Sequence, residues 1–329
     1  MIKKIKQRLL FSLALGGLFY LAFTIYADFD LLVLTFRKFS LWLLPVLLLL
    51  SFLNYLFRFA KWHYYLGLLK IKIQWKDSLS IFLSGLIMSV TPGKMGELLK
   101  AYLVKEVNGT SVALTGPIIL FERITDFVSL LIIALTGAYF FDYGRNIVLG
   151  VALFFLIVLI IMSNKRFALP IIKIFENVSF LKKYFLSIHT AYESSYTLVQ
   201  IRPLLISTFI SLISWSFECL GYFLILFNFD LQINFFWASF SYAFATIVGA
   251  ISMLPGGLGV TEGSLTYLTM KIGASKEIAV ASTFIIRVAT LWFAVLVGVV
   301  SISFYQKRFG SINFDLQNKN KGNSHGKEV

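Results

Sequence analysis

Two short runs in this chain combine helix-breaking residues with charge. The first is Thr91-Pro92-Gly93-Lys94-Met95-Gly96-Glu97. The second is Leu254-Pro255-Gly256-Gly257-Leu258-Gly259-Val260-Thr261-Glu262. Both read Pro-Gly-x-x-Gly with a glutamate close behind. Each is followed by an arginine inside an apolar stretch: Arg123 comes 31 residues after Pro92, and Arg287 comes 32 residues after Pro255. Proline removes an amide donor and glycine admits unusual backbone angles, so a helix must unwind at each run. Amides freed at the start of the next half-helix attract anions, phosphate above all. With Lys94, Arg123 and Arg287 they outline a cradle for an anionic headgroup. The candidate substrate-binding residues are therefore Pro92, Gly93, Lys94, Gly96, Glu97, Arg123, Pro255, Gly256, Gly257, Gly259, Glu262 and Arg287.

Five carboxylates, Glu97, Glu122, Asp126, Glu218 and Glu262, also lie in apolar segments. Each is costly at membrane depth unless paired or hydrated. Lys100 is a further cation at that depth. Glu122, Arg123 and Asp126 read equally as a structural ion-pair set. Glu97 and Glu262, beside the breaks, suit carrying a proton or orienting a cation. Glu218 reads either as a helix-to-helix hydrogen bond or as a functional group. No catalytic residue, metal or cofactor is expected. Cys219 is the single cysteine and reads as a packing residue. His63, His189 and His325 have no metal-ligand company, and no Asp-x-Asp or Asp-x-x-Asp-Gly pattern occurs.

The elements that must position these groups follow from composition. Of 329 residues, 58% are apolar and 14% charged, against about 45–50% and about 25% in soluble domains. Mean hydropathy is +0.81. This excludes a soluble enzyme and a disordered chain, and predicts an all-α, polytopic membrane protein. Full spans are expected at 9–27, 41–60, 113–141, 147–163, 203–228 and 277–304. The stretches 78–107 and 235–274 are broken by Pro and Gly and read as re-entrant hairpins. Three full spans lie between the two breaks, so the second hairpin should enter from the opposite face. That is an inverted repeat, an architecture common in transporters. Residues 1–306 form the membrane domain. Within it, 164–202 reads as a cytoplasmic amphipathic segment, with Leu181, Phe185, Ile188, Tyr192 and Val199 at helical spacing. Residues 307–329 read as a disordered cytoplasmic tail.

The net charge of +14 does not point to nucleic acid, because the basic residues lie between apolar runs and form no nucleic-acid module. With both termini inside, 21 Lys and Arg fall on the cytoplasmic side, including Arg58 and Lys61, and five on the outer side. Lys94, Lys100, Arg123 and Arg287 remain at membrane depth. Such a bias is the positive-inside signature of a multi-pass protein of the cytoplasmic membrane.

Ser89-Val90-Thr91-Pro92-Gly93-Lys94-Met95-Gly96-Glu97-Leu98, Glu122-Arg123-Ile124-Thr125-Asp126 and the run from Leu254 to Gly263 together resemble signatures of the lysylphosphatidylglycerol synthase transmembrane family. The resemblance covers roughly residues 10–305. It implies a flippase-like membrane region in a bacterial or archaeal cytoplasmic membrane. In the family's larger members this region moves an aminoacylated phospholipid, and a separate C-terminal domain makes it. No such domain follows in these 329 residues, so lipid synthesis is not carried over and the cargo stays open. The expected partner is a membrane lipid with an anionic headgroup, either a phospholipid or a polyprenyl-phosphate-linked lipid. Two other readings stand beside transport. One is a non-transporting protein that presents lipid to a lipid-modifying membrane enzyme. The other is an integral lipid phosphotransferase or glycosyltransferase. Lys94→Gln is the cleanest probe of the cradle, because Lys94 sits in the unwound turn.

Overall fold

Long apolar runs leave the backbone no partner but itself, and among single segments in lipid this selects the helix. The computed structural model describes residues 16–19, 21–91, 96–141, 146, 149–154, 157 and 185–310, and no strand occurs among them. α1 (Gly16–Tyr26) and α2 (Phe29–Lys38) meet at a bend of 96°. Asp28 makes that bend, at φ 67°, and its carboxylate caps α2 by accepting the amides of Asp30 and Leu31. The bend lies just beyond the apolar run expected to span at 9–27, and the chain continues as a second helix that was not expected. Residues 9–15 of that run lie outside the described residues.

α3 is Leu43–Leu68. The first hairpin consists of α4 (Trp75–Gly85), a 3-10 turn at Leu86–Val90, and α5 (Leu99–Asn108), which stops at Gly109 in the left-handed region. α6 (Val112–Phe141) has 30 residues. Residues 149–154 are helical; most of the expected 147–163 span lies outside the described residues. α7 is Phe185–Leu198 and α8 is Ile201–Asn228. The second hairpin consists of α9 (Phe235–Ile251), a 3-10 turn at Pro255–Gly257, and α10 (Val260–Lys271). α11 (Lys276–Arg287) runs through one π-helical turn at Val288–Trp292 into α12 (Phe293–Phe309). α3, α8 and the continuous Lys276–Phe309 helix are long and apolar enough to cross a membrane, and the bent α1–α2 pair qualifies as one broken span. Residues 311–329, the expected tail, lie outside the described residues.

Residues 164–184 of the amphipathic segment lie outside the described residues. From there α7 packs on α6; Val199 of the apolar stripe is buried, as are Ser194, Ser195 and Leu198, while Ile188 and Tyr192 are partly covered. Small serines let two helices close together, so α7 belongs to the bundle.

The 34-residue helix Lys276–Phe309 is the ruler of the fold. Arg308 at its C-terminal end pairs with Asp77 at the start of the first hairpin, at 2.7 Å. Gly298 packs directly on the backbone of Ile87. The second hairpin runs beside the other end, with Thr266 and Thr283 hydroxyls 3.3 Å apart, and joins that end covalently through residues 272–275. The hairpins thus enter from opposite ends of one helix. Their tips meet near its middle, where Val90, Leu258, Leu291 and Val295 form a small buried cluster. Two larger apolar cores flank this junction. One centres on α4, α5 and α12, the other on α8, α9 and α11.

Candidate functional site

On α3 the residues Leu47, Ser51, Asn54, Arg58, Lys61 and Tyr65 are all buried. Their spacing alternates between four and three, which places them on one helix face. The helix runs past the expected boundary at residue 60 to Leu68, and Arg58 and Lys61, counted among the cytoplasmic cations, are buried in the protein. The helix continues through Trp62, Tyr65 and Leu66, which are buried in the first core, and this carries both cations into the interior. Asn54 donates to the carbonyl of Ser214 at 2.9 Å, and Ser214 donates back to the carbonyl of Asn54 at 3.2 Å. That reciprocal clasp fixes α3 against α8.

Lys61 is fully enclosed. Its Nζ lies 2.6 Å from Asp126 Oδ1, 2.6 Å from Ser211 Oγ and 3.2 Å from Thr125 Oγ1. Lys100 Nζ sits 2.6 Å from Glu122 and 3.5 Å from Glu97, and lies over the rings of Trp62 and Phe82 at 4.8 and 5.1 Å. Gly85 makes that position available, because a Cβ there would stand 2.5 Å from Lys100 Cγ. Arg123 reaches Glu97 at 2.7 Å and Asp126 at 3.6 Å. Arg58 is 3.9 Å from Glu97. Four cations and three carboxylates thus form one buried network behind the first tip. Arg123 is held chiefly by Glu97, and Glu122 serves Lys100.

The second half has a simpler arrangement. Arg287 Nε is 2.6 Å from Glu262 Oε1, and its terminal nitrogen donates to the carbonyl of Gly256 at 2.6 Å. The other oxygen of Glu262 accepts the amide of Gly259 at 2.8 Å, capping α10. Gly256 holds φ at 61°, a conformation that L side chains adopt only at a cost. A Cβ there would also approach Leu291 and Val90 at 3.2 and 3.5 Å. Nearby, Tyr242 donates to Glu218 at 2.6 Å, and Tyr55 donates to the carbonyl of Thr290 at 2.7 Å.

Between the halves lies a cavity of about 710 Å³. Its charged lining is Arg58, Arg123, Asp126, Glu218 and Arg287, with Tyr55, Tyr242, Thr91 and Thr290 beside them. Of the residues proposed from sequence, Arg123, Gly256, Gly257 and Arg287 line this space. Glu97 and Glu262 are buried one layer behind, each holding the arginine of its own half. Gly96 and Gly259 serve packing. The Gly96 amide donates to Thr91 Oγ1 at 3.0 Å, and a Cβ on Gly96 would meet that side chain. Gly259 lies against the ring of Phe19, and Pro255 is buried. Pro92, Gly93 and Lys94 lie outside the described residues. Arg58, Lys61, Tyr55 and Tyr242 were missed from sequence. For the two cations the signal was present, in the stripe of Asn54, Arg58 and Lys61 on one face of an apolar helix.

Fold and site together define an all-α, multi-pass membrane protein with an internally charged cavity. The chain belongs to the family described as the lysylphosphatidylglycerol synthase TM region, whose model matches residues 9–298. It is similar to a UPF0104 membrane protein of Methanocaldococcus jannaschii, 25% identical over 227 residues, covering 67% of this chain and 93% of that one. A UPF0104 membrane protein of Pyrococcus horikoshii is 23% identical over 253 residues, covering 68% of this chain and 74% of the relative. One from Methanothermobacter thermautotrophicus is 30% identical over 96 residues, covering 29% of each chain.

Proposed function

We propose that this protein is a lipid transporter, not an enzyme, and that it moves a lipid with an anionic, phosphate-bearing headgroup across the cytoplasmic membrane. The cargo class is a phospholipid or a polyprenyl-phosphate-linked lipid. The observation that carries the reading is the cavity at the meeting of two opposed hairpins, lined by one arginine from α3, one from α6 and one from α11. Guanidinium groups bind phosphate through paired, charge-assisted hydrogen bonds. Glu97 and Glu262 already fix the orientation of Arg123 and Arg287, so less side-chain ordering is needed when a headgroup arrives. The excess of basic residues in the connecting segments supports both termini on the cytoplasmic side.

The test is reconstitution into liposomes carrying fluorescent lipids, with dithionite added outside. Expected is quenching that proceeds beyond the outer-leaflet fraction, faster for phosphate-bearing headgroups than for uncharged ones. Quenching that stops at the outer leaflet, in vesicles shown to contain folded protein, would overturn transport. It would leave the reading of a protein that presents lipid to a separate membrane enzyme.

A further inference from the structure

The cavity lining sorts by depth. Its charged members are buried or nearly so: Arg58 is 6% exposed, Glu218 7% and Arg287 8%, and the Arg123 side chain 17%. The large side chains of the lining that reach the surface are apolar. Leu120 is 50% exposed, Phe154 61%, Ile251 53% and Met253 62%. These four come from α6, from the helical residues 149–154 and from the end of α9 and the turn after it. α6 and α9 touch at Gly137, which packs on Phe240. Farther along, residues 120–130 of α6 and 246–251 of α9 both line the cavity. The result is a polar chamber with an apolar mouth on the outer face of the bundle.

A soluble anion would have to cross those lips without its hydration shell. An amphiphile would not, because its hydrocarbon stays among apolar groups while only the headgroup enters. We propose that the exposed apolar rim of the cavity, at Leu120, Phe154, Ile251 and Met253, is a side portal that holds the acyl or isoprenoid chain of the cargo. This rests on the headgroup site argued above and assigns the other end of the molecule. The shared chemistry of the chamber, phosphate, could be brought by a lipid or by the free ion, and the mouth favours the lipid.

The experiment uses the full chain in liposomes with a phospholipid carrying a diazirine in its acyl tail. Adducts are mapped by peptide mass spectrometry after illumination. Expected is several-fold greater labelling at the four lip residues than at Phe209 and Leu296, which are exposed elsewhere on the bundle. Unlabelled phospholipid should displace it, and inorganic phosphate should not. Even labelling over all exposed apolar residues would overturn the portal, as would displacement by inorganic phosphate. A second arm compares flipping by Met253→Lys and Ile251→Asn with Phe209→Asn. The first two should slow transport several-fold and the third should not. Equal rates in all three would overturn the proposal. Lip labelling without transport would count against the transport reading alone. Transport with even labelling would count against the portal alone.

Discussion

The two hairpins share a backbone plan and carry very different amounts of charge. Behind the first tip, Glu97 faces three cations, Arg58, Lys100 and Arg123. Behind the second, Glu262 faces Arg287, and Arg287 also binds the carbonyl of its own tip at Gly256. The common element is one glutamate at the tip and one arginine on the following helix. Everything added to it lies in the first half: Arg58 and Lys61 from α3, Lys100 from the hairpin's own α5, and Glu122 and Asp126 from α6. The repeat therefore sets where the backbone unwinds, while residues outside the shared plan decide how much charge gathers there.

Lys61 offers the hardest blow to that difference. Lys61→Met strands Asp126 and Ser211, and breaking a buried pair of this kind should cost about 3–5 kcal/mol. Thermal unfolding in detergent should show the largest drop of any single change in the site; an unchanged midpoint would mean that the network is not a structural unit.

Charge exchange sharpens the comparison further. Glu262→Arg with Arg287→Glu keeps one opposed pair and loses two hydrogen bonds, the cap on Gly259 and the bond to the Gly256 carbonyl, together about 2–3 kcal/mol. The equivalent exchange, Glu97→Arg with Arg123→Glu, sets an arginine against Arg58 and Lys100. It should abolish folded protein on size-exclusion chromatography. Equal tolerance of the two exchanges would erase the asymmetry.

Smaller effects should separate the tips from the helices that hold them. Gly256→Ala forces a side chain into the left-handed region at roughly 1–2 kcal/mol and presses on Leu291 and Val90. A lowered melting temperature with slower lipid flipping is expected. Tyr55→Phe removes one hydrogen bond to Thr290 and should cost on the order of 1 kcal/mol, the least of the set, in the same melting assay.

Much of this arrangement was legible in the residues themselves. The breaks at Pro92 and Pro255 and the matched arginines announced two hairpins, because proline and glycine punctuate a helix whatever surrounds them. The pairing was less legible: the sequence grouped Arg123 with its neighbours Glu122 and Asp126, whereas in the fold its shortest ion pair is to Glu97, as that of Arg287 is to Glu262. The burial of Arg58 and Lys61 was not legible, because they stand near an apparent end of an apolar run, where cations usually mark the membrane edge. Their burial depends on aromatic residues that prolong α3 and on Asp126 and Ser211, which come from other helices. The bend at Asp28 depends on a left-handed aspartate that no periodicity signals. The cavity rim joins residues from α6, from 149–154 and from the end of α9, a matter of helix packing that a single sequence does not encode locally.

The bond from Tyr55 to the carbonyl of Thr290 joins residues 235 positions apart in the chain. The first tip likewise rests on Leu291 and Val295, so the first half is finished only by the last helix. At about 5–20 residues added per second, the interval between making α3 and making its partner is on the order of tens of seconds. During biogenesis the early helices must therefore wait in the membrane with the first tip still lacking the helix it rests on. Completion of the chain, not insertion of its first half, is the step that locks the molecule.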